Sequence, residues 1–231
     1  MWSKYFSHIY VLALPERRPY MERVVADLGI PHPIFVPLPG GPDIMPGMSR
    51  GEALTWASHV TAMRDFLARK GDRRMLVFED DIEATTDQID LKPMELVPDH
   101  AVVYLGRCWS HCWLDTPVVE GLVRARRSSC MHAVSLSPYA AQSYVDLTPY
   151  APADDMLQDL ILSGRVDSYA FQPGLFRQNQ TRFASTSGAR RPDPVTFDCK
   201  RDPIWILYLI VIVLMSAIAY TLFSISTLPG T

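Results

Sequence analysis

The chain has 231 residues, 20% of them charged, and a formal net charge of -3. That length holds one α/β domain with an appendage, or less readily two small domains. The mildly acidic balance and the lack of a broad basic stripe argue against a nucleic-acid partner. Arg124, Arg126 and Arg127 form only a short cluster, a solvated face or the flank of an acidic ligand.

In chain order, HIYVLALPERRPYMERVVADLGI reads as strand, turn and helix. Ile9–Leu14 is apolar and β-rich and stops at Pro15. Charged Glu16, Arg17 and Arg18 follow with no small-residue cleavage site, which makes it a strand and not a signal peptide. Met21, Val24, Val25 and Leu28 recur at helical spacing, and Gly29 closes that helix. PIFV is a second short strand, followed by a rim of prolines and glycines from Pro37 to Pro46. Ser49 then caps a long helix, with Glu52 at capping-box spacing, an apolar side through Leu54, Ala57, Val60, Ala62, Phe66 and Leu67, and Gly71 past its end. MLVF, Met75 to Phe78, is continuously apolar, as a strand buried on both faces must be. AVVYLG and MHAVSLS are further strands, PYAAQSYVDL and ADDMLQDLILSGR helices, and VDSYAFQPGL a last strand. This alternation predicts an α/β fold, a mostly parallel sheet with helices on both faces, over residues 1–187.

Residues 188–203 read as a polar, Pro-rich linker. Ile204–Phe223 carries no charge, and 20 helical residues at ~1.5 Å each span about 30 Å, the thickness of a bilayer core. A core helix apolar on every face would need a larger protein around it, so a transmembrane helix is the better reading. The short tail 224–231 is uncharged, whereas Arg190, Arg191, Lys200 and Arg201 lie on the other side. The positive-inside rule therefore predicts a single-pass C-terminal tail anchor with the large domain in the cytosol. Cys108, Cys112, Cys130 and Cys199 are expected as free thiols there. C-x3-C followed by Cys130 and His132 is weak as a zinc pattern. In a lumenal domain, a disulfide and glycosylation at the Asn179-Gln180-Thr181 sequon would become plausible.

The chemistry concentrates where MLVF runs into Glu79, Asp80 and Asp81. Ligands of open α/β sheets bind at the carboxyl ends of the strands. On an extended chain Glu79 and Asp81 point to one side and Asp80 to the other. Two carboxylates so placed repel unless a cation lies between them, and a hard ion such as Mn²⁺ or Mg²⁺ suits oxygen ligands. A solvated acidic turn is the bland alternative. A metal-dependent phosphohydrolase would want more histidines near Asp81 than this sequence places there.

Several stretches, taken in order over about residues 8 to 187, resemble glycosyltransferase family 25, the lipooligosaccharide-synthesis and procollagen-galactosyltransferase type. They are IYVLALPERRPYMERVVADLGI, LTWASHVTAMRDFL with its Ser58-His59 pair, MLVFEDDIE, AVVYLG, MHAVSLSPYAAQSYV, ADDMLQDLIL and FQPGLFRQN. The resemblance implies a GT-A fold and an inverting transfer of a hexose, galactose or glucose, from a nucleotide-sugar donor such as UDP-hexose. It implies that Glu79 and Asp81 hold the metal and the donor diphosphate, and that Asp80 meets the ribose or sugar. Leu14 to Arg18 would lie beside the nucleotide, with Arg17 or Arg18 on phosphate. His59 would meet the nucleotide or a carboxylate, and Gln178 would touch the diphosphate or brace the metal. An inverting transfer needs a base for the acceptor hydroxyl. Asp154 and Asp155 are the candidates, Asp155 slightly favoured, although carboxylates at a helix start also serve its dipole. Trp56-Ala57 before the Ser-His pair, the Pro-rich loop, CWSHCW and the C-terminal anchor depart from the family pattern. The expectation is a membrane-anchored hexosyltransferase acting on a glycan, lipid or protein acceptor. The alternative is an inactive relative serving as a binding or scaffold module at a membrane.

Overall fold

The computed structural model describes residues 1–37, 47–108, 112–179, 181–183, 208–216 and 218. The chain divides into two units, Met1–Thr196 and Phe197–Thr231. In the second, residues 208–216 and 218 are helical, and Tyr208 to Met215 are exposed. No helix among the described residues is long and apolar enough to cross a membrane. The linker expected over 188–203 and the tail over 224–231 lie outside the described residues, as do half of the span expected over 204–223 and the boundary expected at 187.

The first unit opens with a short helix α1 (Trp2–Tyr5), strand β1 (Phe6–Leu12), helix α2 (Arg18–Asp27) and strand β2 (Ile34–Val36). Helix α3 (Arg50–Ala68) starts at the expected capping box: Ser49 accepts from the Glu52 amide and the Glu52 carboxylate accepts from the Ser49 amide. Strands β3 (Arg74–Glu79) and β4 (Ile82–Ala84), a 3-10 turn (Lys92–Leu96) and strand β5 (Val102–Cys108) follow. A second 3-10 turn (Cys112–Leu114) leads to a hairpin, β6 (Thr116–Val119) and β7 (Leu122–Arg124), and then to β8 (Ser129–Leu136). Helices α4 (Pro138–Val145) and α5 (Ala153–Leu162) and strands β9 (Ser168–Phe171) and β10 (Phe176–Gln178) complete it.

Eight strands form one sheet in the order β2-β1-β3-β8-β5-β9-β7-β6, and β10 pairs with β4 in a separate ribbon. The expectation of a mostly parallel sheet is met in strand direction but not in every pairing. β1 runs parallel to β2 and β3, and β5 to β9, but β8 lies antiparallel between β3 and β5, and β7 antiparallel to β9 and β6. The sheet is therefore mixed.

Both faces are covered. Val60, Met63 and Phe66 of α3, Tyr144 of α4 and Met156 and Leu157 of α5 pack on Tyr10, Met75, Val77 and Val134. On the other face Met21 and Val25 of α2, with Trp2, Leu91 and Met94, pack on Val11, Leu76, Phe78 and Val103. Consecutive residues of β3 thus enter opposite cores, which is why that strand had to be apolar throughout. β1, β3 and β5 end together, at Leu12, Glu79 and Cys108. The reversed β8 begins at the same edge, with Ser129 opposite Cys108 and Ala133 opposite Phe78. That edge collects the polar side chains.

Candidate functional site at the carboxyl edge of the sheet

The three consecutive carboxylates go to three different partners. β3 ends at Glu79 and residues 80–81 turn, so the strict strand alternation expected of Glu79 and Asp81 stops there. Glu79 continues the α3 face of β3, and its Oε1 lies 3.0 Å from His59 Nε2. Asp80 turns to the first loop. It accepts from the Leu14 amide at 2.8 Å and from Arg17 Nη1 at 2.9 Å, in an ion pair whose two side chains are each 12% exposed. Asp81 Oδ2 accepts from Gln178 Nε2, at 3.3 Å, and its Oδ1 is buried with no hydrogen-bond partner among the described residues. The β4–β10 ribbon builds this last contact: Gln178 sits opposite Ile82, and the Asn179 amide donates to the Asp81 carbonyl at 2.5 Å. Tyr20 pins the turn by donating to the Ile82 carbonyl at 2.8 Å.

Partnering decides the electrostatics. Burial works to raise the pKa of Glu79, but the His59 hydrogen bond and the charges of His59 and His132 outweigh it, so Glu79 is held below the ordinary value. Burial raises Asp80, against the Leu14 amide and Arg17, which pull it down. Asp81 is pushed up to about 7 by burial, then by the charges of Glu79 and Asp80, with Arg17 only a partial offset. It is the under-compensated member of the three.

His132 was not foreseen at this site. It lies on β8 beside the end of β3 and is 1% exposed, and neither ring nitrogen reaches a partner at hydrogen-bonding geometry. Burial lowers its pKa, while Glu79 and, weakly, the Phe176 carbonyl act to raise it. The ring fits because residue 106 is glycine: a Cβ there would collide with His132 Nε2 and the Phe176 carbonyl. The available signal was a histidine at a core-facing position of an otherwise apolar strand, and that signal does not distinguish a site from a tolerated core residue.

The other expected residues divide. Gln178, His59 and Arg17 join the carboxylate group. Arg18 does not: it is exposed, pairs with Glu22 at 2.9 Å and stacks on Phe35 at 4.6 Å. Arg17 also stacks on Phe183, at 4.9 Å, and Arg182 on Tyr20, at 4.7 Å, an aromatic and cationic rim over the first turn. Asp154 and Asp155 open α5. Asp154 Oδ2 accepts from the Cys130 amide at 3.3 Å, which ties it to the start of β8, whereas Asp155 is exposed. The expectation of free thiols is corrected. Cys108 and Cys130 form a disulfide between the end of β5 and the start of β8. Cys199 lies outside the described residues. The adjacent turn is held by a buried pair, Arg107 Nη2 to Asp115 Oδ2 at 2.6 Å.

The donor set fits a hard cation in part. Asp81 offers a buried, unpartnered carboxylate oxygen beside two further carboxylates, and that is where a divalent ion would relieve repulsion. Glu79 offers its second oxygen, the first being held by His59, as a metal-bound carboxylate is commonly held by an outer partner. Among the described residues, no group of three or more His, Cys, Asp or Glu is gathered closely enough to hold a metal alone. Water and a ligand's oxygens would have to complete the shell.

No protein-family model matches the chain, and no curated protein matches it. Among solved structures, a UDP-glucose pyrophosphorylase from Acinetobacter baumanii aligns with 77% of this chain and 67% of its own, at 14% identity and a TM-score of 0.35. A likeness of that size does not establish a shared fold.

Proposed function

We propose that the chain is a metal-dependent hexosyltransferase of the inverting kind, held at a membrane by residues 204–223 with its domain facing the cytosol. It would take galactose or glucose from a nucleotide-sugar donor, UDP-hexose by preference, to a hydroxyl of a glycan, lipid or protein. The carrying observation is Asp81: a carboxylate with a buried, unpartnered oxygen, at the carboxyl edge of an α/β sheet, crowded by two neighbours of the same charge. Apart from a cation there is little reason to place it so.

In this reading Asp81 and the free oxygen of Glu79 hold Mn²⁺ or Mg²⁺, and the bound ion supplies neutralisation of the charge developing on the departing diphosphate. His59 orients Glu79 and keeps it ionised. Asp80 fixes Arg17 and the Leu14 amide, so that the first loop presents one conformation to the nucleotide. Gln178 braces Asp81. Of the two base candidates Asp154 is favoured, because it contacts Cys130 at the start of β8, whereas Asp155 is exposed. It would accept the proton of the acceptor hydroxyl as that oxygen attacks the anomeric carbon. The membrane segment keeps the domain near a membrane-bound acceptor and raises its effective concentration.

The inactive alternative, a membrane-tethered binding or scaffold module, draws support from the His59–Glu79 contact, which occupies one oxygen of a proposed metal ligand. Thermal unfolding of the full chain in detergent, with Mn²⁺ and a panel of UDP-sugars, separates the two. A transferase gains stability from metal and donor together and hydrolyses or transfers at least one donor. No shift and no turnover with any donor refutes it.

A further inference from the structure

We propose that the Cys108–Cys130 disulfide positions Asp154 and makes the site redox-dependent: oxidised, the base candidate is held at the sheet edge, and reduced, it is released. The inference rests on the reading of Asp154 given above.

Three observations meet at Cys130. Its sulfur is tied to Cys108, joining the first residues of β8 to the last of β5. Its backbone is left-handed, with φ of 64°, a region uncommon for non-glycine residues. Its amide is the donor to Asp154 Oδ2. A restraint on the sulfur therefore holds an unfavourable backbone conformation, and that conformation aims an N–H at the carboxylate. Without the bridge, Cys130 is free to relax to negative φ, and its amide turns off Asp154.

The effect would be local, because α5 has a second attachment. Gln158 Oε1 accepts from the Ser128 amide at 2.8 Å and its Nε2 donates to the Arg126 carbonyl at 3.2 Å. The helix stays docked on the segment before β8 while its first-turn carboxylate loses its donor. The oxidant is a small disulfide such as oxidised glutathione. The two thiols of Cys108 and Cys130 give up two protons and two electrons, the S–S bond forms between them, and the small disulfide leaves as two thiols; reduction is the reverse. In a cytosol-facing domain the thiol pool favours reduction, and disulfides that form there are characteristically transient and sensing. The bridge would then act as a reversible signal.

The test uses the full chain in detergent, as purified and after a phosphine reductant. Peptide mapping without reduction should find Cys108 linked to Cys130; a linkage of either to Cys112, or two free thiols, overturns the proposal. Hydrogen exchange by mass spectrometry over 127–133 should speed up on reduction, in the Cys108→Ser/Cys130→Ser variant, and in oxidised Asp154→Ala. Transfer kcat should fall roughly tenfold or more on reduction, a part of what a positioned base contributes. The Mn²⁺ and UDP-sugar thermal shift should stay as it was, and re-oxidation should restore kcat. If the double variant does not fold, the reductant arm on the wild-type chain stands alone. Loss of transfer in Asp154→Ala, with exchange and kcat both indifferent to reduction, refutes the positioning role and leaves the base reading intact. Retained transfer in Asp154→Ala removes the base reading, and the exchange arm alone still reports whether the bridge holds the Cys130–Asp154 contact.

Discussion

Asp81→Asn should make the unliganded protein more stable above pH 7 and should abolish its response to metal. The reason is linkage. Asp81 has a pKa of about 7 in the folded chain against a reference of 3.8, a rise of about 3 units, and one unit corresponds to about 1.4 kcal/mol. Between pH 4 and 7 the folded protein keeps a proton that the unfolded chain has already lost, so stability falls as pH rises through that window and is level above it. The full penalty at pH 8 is about 4 kcal/mol. Solvent screening at the half-buried carboxylate reduces this to about 2 kcal/mol. Asparagine is isosteric, can still accept from Gln178, and carries no charge to desolvate.

The measurement is thermal unfolding of wild-type and variant chains in detergent, followed by tryptophan fluorescence, at pH 4.5 and pH 8. Near pH 4.5 the variant should keep only about a quarter of its advantage, because the unfolded chain has only begun to lose the proton that the fold retains. At pH 8 the variant should melt higher by about 6 °C, at about 3 °C per kcal/mol for a chain of this size. Mn²⁺ with a UDP-sugar should raise the wild type and leave the variant where it was. A variant less stable than wild type at pH 8, or a difference independent of pH, would show that Asp81 is compensated by something other than a missing cation.

His59→Ala removes the donor on Glu79 and leaves a carboxylate under-compensated at the sheet edge; a loss of about 3 kcal/mol is expected by urea unfolding, with a partial return in His59→Gln. Gly106→Ala drives a methyl into His132 and the Phe176 carbonyl and should cost about 1–3 kcal/mol, of which the Gly106→Ala/His132→Ala double variant recovers only the part due to the ring, because the Phe176 carbonyl stays in the way. Ser49→Ala breaks the capping box of α3 and should cost about 1 kcal/mol without altering metal or donor binding. Each is read by the same unfolding assay, and a Ser49→Ala change in donor response would mean that α3 carries more of the site than His59.

The elements with one strong periodicity were legible. α3 announced itself through Ser49, Glu52 and Gly71, and β3 through its unbroken apolar run. Direction was not legible: β8 reads as a buried strand whether it runs with β3 or against it, because alternation and apolarity are the same both ways. The β6–β7 hairpin and the β4–β10 ribbon were missed because their strands have three or four residues, too few to show a period. The same limit governed the site. A carboxylate cluster at a strand end is visible in sequence, but its partition depends on which residue the turn begins at. Likewise His59 could be suspected of meeting a carboxylate, but choosing Glu79 required α3 to be packed on β3. Cys108 and Cys130 are separated by 22 residues, and their pairing follows from β5 and β8 being neighbours, a fact of topology that spacing does not carry.

The partition of the carboxylates also bears on the choice between enzyme and scaffold. A protein that merely tolerated three acidic residues would be expected to turn them to water, where mutual repulsion is weak. Here Asp80 is buried and Glu79 and Asp81 are half-buried, and the compensation is unequal: a histidine for Glu79, a guanidinium and an amide for Asp80, and for Asp81 a side-chain amide with Arg17 a partial offset. A scaffold gains nothing from leaving the last one short, because a buried charge without a partner destabilises the fold it sits in. The shortfall makes sense if a cation from outside the chain completes the set. Gln178 and the ribbon then serve to hold Asp81 in place for that ion, at a cost in stability when it is absent.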